Sequence, residues 1–93
     1  MAPIHEAAKR GDVEDLSRLL DQDPGLLQAA AAGGRGAPLW WACCGGHLEA
    51  ARLLLDRGAE VDAVDGLEKT ALMDACWFGH ADVARLLLDR GAD

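Results

Sequence analysis

The sequence has few of the side chains that enzymes use for covalent catalysis. Its 93 residues include no tyrosine, and Ser17 and Thr70 carry its only hydroxyl groups. No histidine lies at a spacing that would activate either hydroxyl as a nucleophile. We therefore expect that the chain is not an enzyme and that it uses no cofactor.

Cysteine and asparagine are scarce as well. Cys43, Cys44 and Cys76 are an odd set with no CxxC spacing, and no asparagine is present to accept an N-linked sugar. This pattern is typical of reduced thiols rather than of a disulfide framework.

Positive charge and long apolar runs are also limited. The formal net charge of −7 would repel a phosphate backbone, so nucleic acid is a poor candidate partner. No run approaches the roughly 18–20 apolar residues that cross a bilayer. Residues 1–30 carry acids throughout, without the basic start and apolar run of a secretory signal. We expect no membrane insertion and a cytoplasmic or nuclear location.

What the sequence does contain is an internal repeat. Residues 42–59 reappear as residues 75–92 at an offset of 33. An earlier copy, at an offset of 35, aligns Gly11 with Gly46. The predicted repeats cover about residues 1–34, 35–67 and 68–93.

Each copy predicts two short helices and an extended finger. Pro3 or Pro38 begins the first helix, where a missing N–H costs nothing. A glycine such as Gly46 ends it, and His47 begins the second helix. Alternating residues 59–66 then predict a finger that reverses into the next repeat. Because one hairpin cannot bury its own apolar face, the repeats must stack into a solenoid.

The order of these motifs resembles the ankyrin repeat family. The matching segments are Ala2-Pro3-Ile4-His5-Glu6-Ala7-Ala8, Thr70-Ala71-Leu72, both Gly-His pairs and Gly91-Ala92-Asp93. The resemblance implies an all-α ankyrin-repeat solenoid of helix-turn-helix units with short β-hairpin-like fingers. It also implies a protein-protein interaction module, an adaptor or scaffold that binds a partner protein through a concave groove.

Several positions depart from the family pattern. Alanine replaces the threonine at positions 2 and 37, and Ala71 replaces the proline. Trp40 and Met73 replace the histidine that knits neighbouring repeats in the family. We expect weaker local hydrogen bonding in these copies, at a net loss of roughly 0.5–1.5 kcal/mol per missing bond.

The resemblance also locates the groove. Its exposed first-helix pairs become Lys9-Arg10, Cys44-Gly45 and Trp77-Phe78, and its finger positions include Gly34, Arg35, Gly66, Leu67 and Lys69. The predicted partner-binding residues are Lys9, Arg10, Trp41, Cys44, Leu67, Lys69, Asp74, Trp77 and Phe78. Trp40, at the knitting position, is expected to be structural.

Two interpretations stay open for the groove. Trp77 and Phe78 bind a partner, or they pack against Trp41 or a further repeat. Likewise, Lys9, Arg10, Arg35 and Lys69 either form a basic strip for an acidic partner or are a solvated face.

The histidines and cysteines have structural explanations. His47 and His80 fit helix starts better than a zinc site, because stacked helices lie roughly 8–10 Å apart while zinc bonds are about 2 Å. The same spacing excludes a disulfide between Cys43 and Cys76, which are expected to pack in the core. Cys44 alone is expected to be exposed, as a surface thiol or a modification site.

The two ends of the chain predict different contexts. Met1 directly precedes the first helix, as at a natural N-terminal end. The last helix pair has an uncapped apolar side that includes Leu88, which predicts further repeats, a partner or self-association there. The resemblance also implies an alternative function, an N-terminal targeting or regulatory ankyrin fragment of a larger enzyme or channel, because ankyrin arrays are often appended to such chains.

Overall fold

The computed structural model describes residues 3–29, 36–62, 64, 67 and 69–92. Its helices are α1 (Pro3–Arg10), α2 (Val13–Gln22), a 3₁₀ helix (Pro24–Gln28), α3 (Pro38–Cys44), α4 (Leu48–Asp56), α5 (Ala71–Trp77) and α6 (Ala81–Asp89). Over these ranges the extended structure is one isolated antiparallel bridge, between Val64 and Thr70. None of the described helices is long and apolar enough to cross a membrane. The predicted all-α class is confirmed.

The helices form three antiparallel pairs, units 1 to 3, and each pair turns at a glycine. In unit 2, Gly46 takes a left-handed φ of 72°. The amide of His47 then donates to the carbonyl of Ala42 at 2.9 Å and closes the end of α3. This hydrogen bond satisfies a carbonyl at the C-terminal end of α3, and His47 becomes the N-cap residue of α4. The sequence prediction that glycine ends the first helix is confirmed.

The units stack in one direction. Helix α3 packs between α1 and α5, and α4 packs between α2 and α6. Ile4, Leu16, Leu54 and Leu87 are fully buried within these two layers. Each unit therefore completes the core of its neighbour, as expected for a solenoid.

The helix starts differ in their hydrogen bonding. Thr70 Oγ1 accepts from the Met73 amide at 3.3 Å at the start of α5. Ala37 holds the same place before α3, which has no side-chain cap. The weaker local bonding predicted at position 37 is therefore confirmed.

The two cysteines that replace alanine have opposite environments. Cys43 is fully buried, as predicted. The prediction that Cys76 packs in the core is wrong, because Cys76 is exposed. Unit 3 covers the side of α3 that carries Cys43, and no described residue covers the same side of α5. Burial at this position depends on the next unit rather than on the repeat itself.

Candidate protein-binding surface

The most exposed aromatic side chains lie at the end of α5. Trp77, the last residue of the helix, is 82% exposed, and Phe78 is 56% exposed. Met73, one turn earlier, is exposed as well. We call Trp77 and Phe78 the aromatic patch. The expected exposure of Trp77 and Phe78 is confirmed.

Trp77 ends a row of equivalent positions on adjacent first helices. Lys9 in α1 and Cys44 in α3 precede it in that row. Two hydrogen bonds fix the spacing, since His47 Nε2 lies 2.8 Å from the Lys9 carbonyl and His80 Nε2 lies 3.0 Å from that of Cys44. The row changes along the stack from an exposed amine, through a half-buried thiol, to an exposed indole.

Trp41 does not line this surface. It was expected to face the groove, but it is only 8% exposed. Its Nε1 donates to the Gly36 carbonyl at 2.9 Å, and its ring meets Trp40 edge-on at a centroid distance of 5.0 Å. The expectation is wrong, because the hydrogen bond to Gly36, just before α3, holds the Trp41 indole in the interior. The alternative that Trp77 packs against Trp41 is also wrong.

A hydrogen bond between Trp40 and Asp74 joins units 2 and 3. Trp40 Nε1 donates to Asp74 Oδ2 at 2.6 Å. Lys69 Nζ lies 3.7 Å from the other carboxylate oxygen of Asp74. The structural role predicted for Trp40 is confirmed. Asp74 was expected to line the groove, but its side chain is buried between these two partners.

Two of the four predicted basic residues, Arg10 and Lys69, lie beside carboxylates. Arg10 lies 3.1 Å from Asp15 and 3.6 Å from Asp12. Lys69 is held by Asp74 in the same way, while Lys9 is exposed. The structure therefore supports the solvated-face interpretation better than a basic strip.

The finger side of the surface is only partly described. Leu67 is one of the most exposed apolar residues. Gly34, Arg35 and Gly66 lie outside the described residues. Leu67 and Lys69, the two finger residues predicted to bind a partner, both lie at the surface.

The imidazoles are hydrogen-bonded within the stack. His47 and His80 precede α4 and α6, as predicted, and bond the preceding unit. Buried His5 bonds the Ala29 carbonyl through Nε2 at 2.7 Å, and its Nδ1 has no partner among the described residues. Over that part of the chain, no group of three or more His, Cys, Asp or Glu side chains could hold a metal ion.

The three thiols differ in burial. Burial and, second, the neighbouring Cys44 raise the pKa of Cys43 to about 12. Cys44 is half-buried rather than exposed, so the expectation that it alone is exposed is wrong. Cys76 is the exposed thiol among the three.

A second exposed surface lies on the outer side of unit 3, the last helix pair, for which the sequence predicted an uncapped apolar side. An apolar depression of about 480 Å³ lies there, between α5 and α6. Its lining includes Cys76, Gly79, Ala84, Leu88 and Asp89. We call this surface the open face. Of its residues, the sequence had drawn attention to Leu88, whose exposure is confirmed.

Comparison with known proteins agrees with this geometry. A family model described as ankyrin repeats in three copies matches residues 4–93. A probable E3 ubiquitin-protein ligase of Oryza sativa subsp. japonica, XBOS32, is 39% identical over 67 residues, which cover 72% of this chain and 14% of that protein. Osteoclast-stimulating factor 1 of Danio rerio is 42% identical over 55 residues, 59% of this chain and 25% of that protein. The chain thus spans a quarter or less of these relatives.

Solved structures show the same architecture. The human ASB11 ankyrin repeat domain matches the whole chain with a TM-score of 0.89 and 35% identity, over 41% of its own length. A chain from the complex of the Bdellovibrio bacteriovorus predatory endopeptidase Bd0816 with the immunity protein Bd3460 matches it with a TM-score of 0.91 and 29% identity, over 48% of that chain.

Proposed function

Because the chain belongs to the ankyrin repeat family, we propose that it is a non-catalytic adaptor or scaffold module that binds a partner protein through its concave groove. The observation that carries the proposal is the aromatic patch. Exposed Trp77 and Phe78 would lower solubility without a use, and Trp is enriched among residues that dominate binding energy.

Charge and hydroxyl chemistry support the same proposal. The net charge of −7 favours partners that carry positive charge around an apolar anchor. Both hydroxyl groups already have structural partners. Ser17 Oγ accepts from Arg57 Nη2 at 3.0 Å, and Thr70 caps α5. Neither hydroxyl is held by a histidine that could act as its base.

The test is capture of proteins from cell extract by the parent chain and by a Trp77→Ala, Phe78→Ala double variant. Leu88→Ala is the matched control, because Leu88 is as exposed as Phe78 but lies on the open face. Circular dichroism confirms that all three proteins are folded. We expect a partner that the parent and the Leu88 variant capture and the double variant does not. Equal capture by all three would refute the proposed groove.

We propose as a second candidate that the chain is an N-terminal targeting or regulatory segment of a larger enzyme or channel. This candidate is favoured by the small share of the rice ligase that the chain matches, 14%. Sequencing of the complete transcript tests it directly. An open frame that runs on into a catalytic or channel domain would support it, and an in-frame stop directly after Asp93 would reject it.

A further inference from the structure

The large apolar side chains that the structure leaves exposed are concentrated in one region. Within the described ranges, six of them are more than half exposed. One, Leu88, is on α6, and none lies on α1 to α4. The other five belong to the finger before α5, to α5 itself and to the residue after it. They are Val64, Leu67, Met73, Trp77 and Phe78, which we call the apolar strip.

Backbone contacts connect the finger part of the apolar strip to its helical part. Val64 forms an antiparallel bridge with Thr70, so this part of the finger lies beside the residue that precedes α5. Thr70 Oγ1 then accepts from the Met73 amide at 3.3 Å. Met73 and Trp77 are four residues apart in α5 and therefore share one face of the helix. The apolar strip thus runs along α5 rather than across the stack of units.

Acidic residues are close in sequence to the apolar strip. Residues 59–74 contain five acids and one base, Lys69, which is a net charge of −4 against −7 for the whole chain. Lys69 Nζ lies 3.7 Å from a carboxylate oxygen of Asp74, so the base already faces an acid of the chain. Glu60 and Asp62 are both exposed. A ligand of this surface therefore gains from positive charge next to its apolar groups.

The position of Trp77 is accessible also in units that have a neighbour after them. Lys9 holds the equivalent position in unit 1 and is exposed, although unit 2 packs against α1. Cys44 holds it in unit 2 and is half-buried beside unit 3. The position of Cys76 differs, because its equivalent Cys43 is fully buried. Trp77 is therefore a surface residue of the repeat rather than a core residue that lacks its cover.

We propose that the apolar strip binds an amphipathic helix of a partner protein, whose apolar face lies along α5 and whose flanks carry lysine or arginine. Such a helix presents apolar side chains every three or four residues, the spacing at which α5 presents Met73 and Trp77. The seven residues of α5 span about 10 Å. A partner helix of about 14 residues is about 21 Å long, so it would contact α5 and reach Leu67. This inference rests on the proposed function, because it specifies the partner of that groove.

Other occupants fit the apolar strip less well. A bilayer with anionic headgroups would be repelled by the net charge of −7. A second copy of the chain carries the same negative charge, and an acidic helix would face the acids of residues 59–74. Positive charge beside the apolar face distinguishes the proposed partner from all three.

The test uses three synthetic peptides of about 14 residues with a fluorescent label. The first has leucine at every third or fourth position, with lysine and alanine between. The second replaces its lysines by glutamate, and the third keeps the composition of the first but scatters the leucines so that no face is apolar. Fluorescence anisotropy measures the Kd of each for the 93-residue chain. We expect the first to bind at least about tenfold more tightly than the others, with an affinity that falls as salt is raised.

Variants of the chain locate the site. Leu67→Ala and Met73→Ala remove apolar contacts outside the aromatic patch, and we expect each to raise the Kd of the first peptide at least about threefold. Leu88→Ala is the matched control, because Leu88 is as exposed as Met73 but lies on the open face. This variant should bind like the parent. Urea unfolding checks that the variants are equally folded.

Several results would overturn the proposal. They are no binding of the first peptide, equal binding of all three, or unchanged binding by both Leu67→Ala and Met73→Ala. Cosedimentation with vesicles of phosphatidylcholine and phosphatidylserine, or a dimer that Trp77→Ala abolishes, would assign the apolar strip to another occupant. Capture of a partner from extract that requires Trp77 and Phe78, without binding of the first peptide, would reject the basic helix and leave the proposed function standing.

Discussion

The indole of Trp40 joins two units through a single short hydrogen bond. Its Nε1 donates to a carboxylate on the neighbouring unit, that of Asp74, at 2.6 Å. Hydrogen bonds to charged groups are stronger than neutral ones, and a buried charge that loses its donor is costly. A histidine is therefore not required here to link two units.

A double-mutant cycle of Trp40→Phe and Asp74→Ala measures this bond. Phenylalanine keeps an aromatic ring but removes the N–H donor. We expect a coupling free energy of about 1.5–3 kcal/mol from urea unfolding of the two single variants and the double variant. Additive effects would show that packing of the ring, rather than the hydrogen bond, is what stabilises the junction.

Burial of Cys43 makes stability depend on pH at the alkaline end. The pKa of its thiol is about 12 in the folded chain, against 9.0 for an exposed cysteine. Between these values the unfolded state loses a proton that the folded state keeps, so the free energy of unfolding falls as pH rises. Below pH 9 both states keep the proton and the effect is absent.

Cys43→Ala isolates this effect, because alanine occupies the same place in unit 1. We expect the stability difference between parent and variant to change by up to about 1.4 kcal/mol per pH unit between pH 9 and 11. Urea unfolding at half-unit steps of pH checks it. A difference that is flat above pH 9 would contradict the raised pKa.

At the scale of the element, the starts of α3 and α5 differ in capping. Helix α3 begins after Ala37 without a side-chain cap, whereas Thr70 caps α5. The backbone at both residues is extended, with φ and ψ suited to a capping side chain. Before α3 the Trp40 amide donates to the Ala37 carbonyl at 2.9 Å instead of to a side chain.

Ala37→Thr should therefore stabilise the chain by about 1 kcal/mol. The added hydroxyl would accept from the Trp40 amide, as Thr70 does from Met73. Thermal and urea unfolding measure the gain, and Thr70→Ala supplies the matched loss at the start of α5. An unchanged or lower stability of Ala37→Thr would show that threonine does not fit beside its neighbours.

The sequence patterns predicted the helices and turns better than they predicted the burial of individual side chains. The glycine turns and the proline start of α3 follow from local backbone chemistry, so sequence alone was sufficient. Trp41 and Cys76 were placed wrongly, because their exposure depends on contacts outside their own helix, which the helical repeat pattern does not give. Trp41 donates to the Gly36 carbonyl, just before α3. Cys76 is exposed, whereas Cys43 at the same position of unit 2 is buried.

At the scale of the whole molecule, stability is shared between neighbouring units. Unit 2 is covered on both sides, whereas one side of unit 3 is the open face. In a one-dimensional stack, a unit with one interface opens more readily than a unit with two. Unit 3 is therefore expected to open before unit 2.

Native-state hydrogen exchange should reveal this gradient. We expect the amides of α4 to exchange at least about tenfold more slowly than those of α6, which corresponds to roughly 1.4 kcal/mol of opening free energy. The two helices are closely similar in sequence, so intrinsic rates differ little and α4 is an internal standard for α6. Equal protection would mean that the 93 residues open as one cooperative body.

The contacts between units have a direction, because a histidine and an arginine of one unit bond a carbonyl and an acid of the unit before it. This direction has a consequence for the gene. A tandem duplication of DNA that encodes unit 2 would insert a histidine and an arginine against acceptors that already fit them, so the array could lengthen without new mutations. Duplication of unit 1 would insert Asp12 and Gln22 at an internal junction and leave it without either donor. Duplication of the second segment would thus keep the contacts between units, whereas duplication of the first would not.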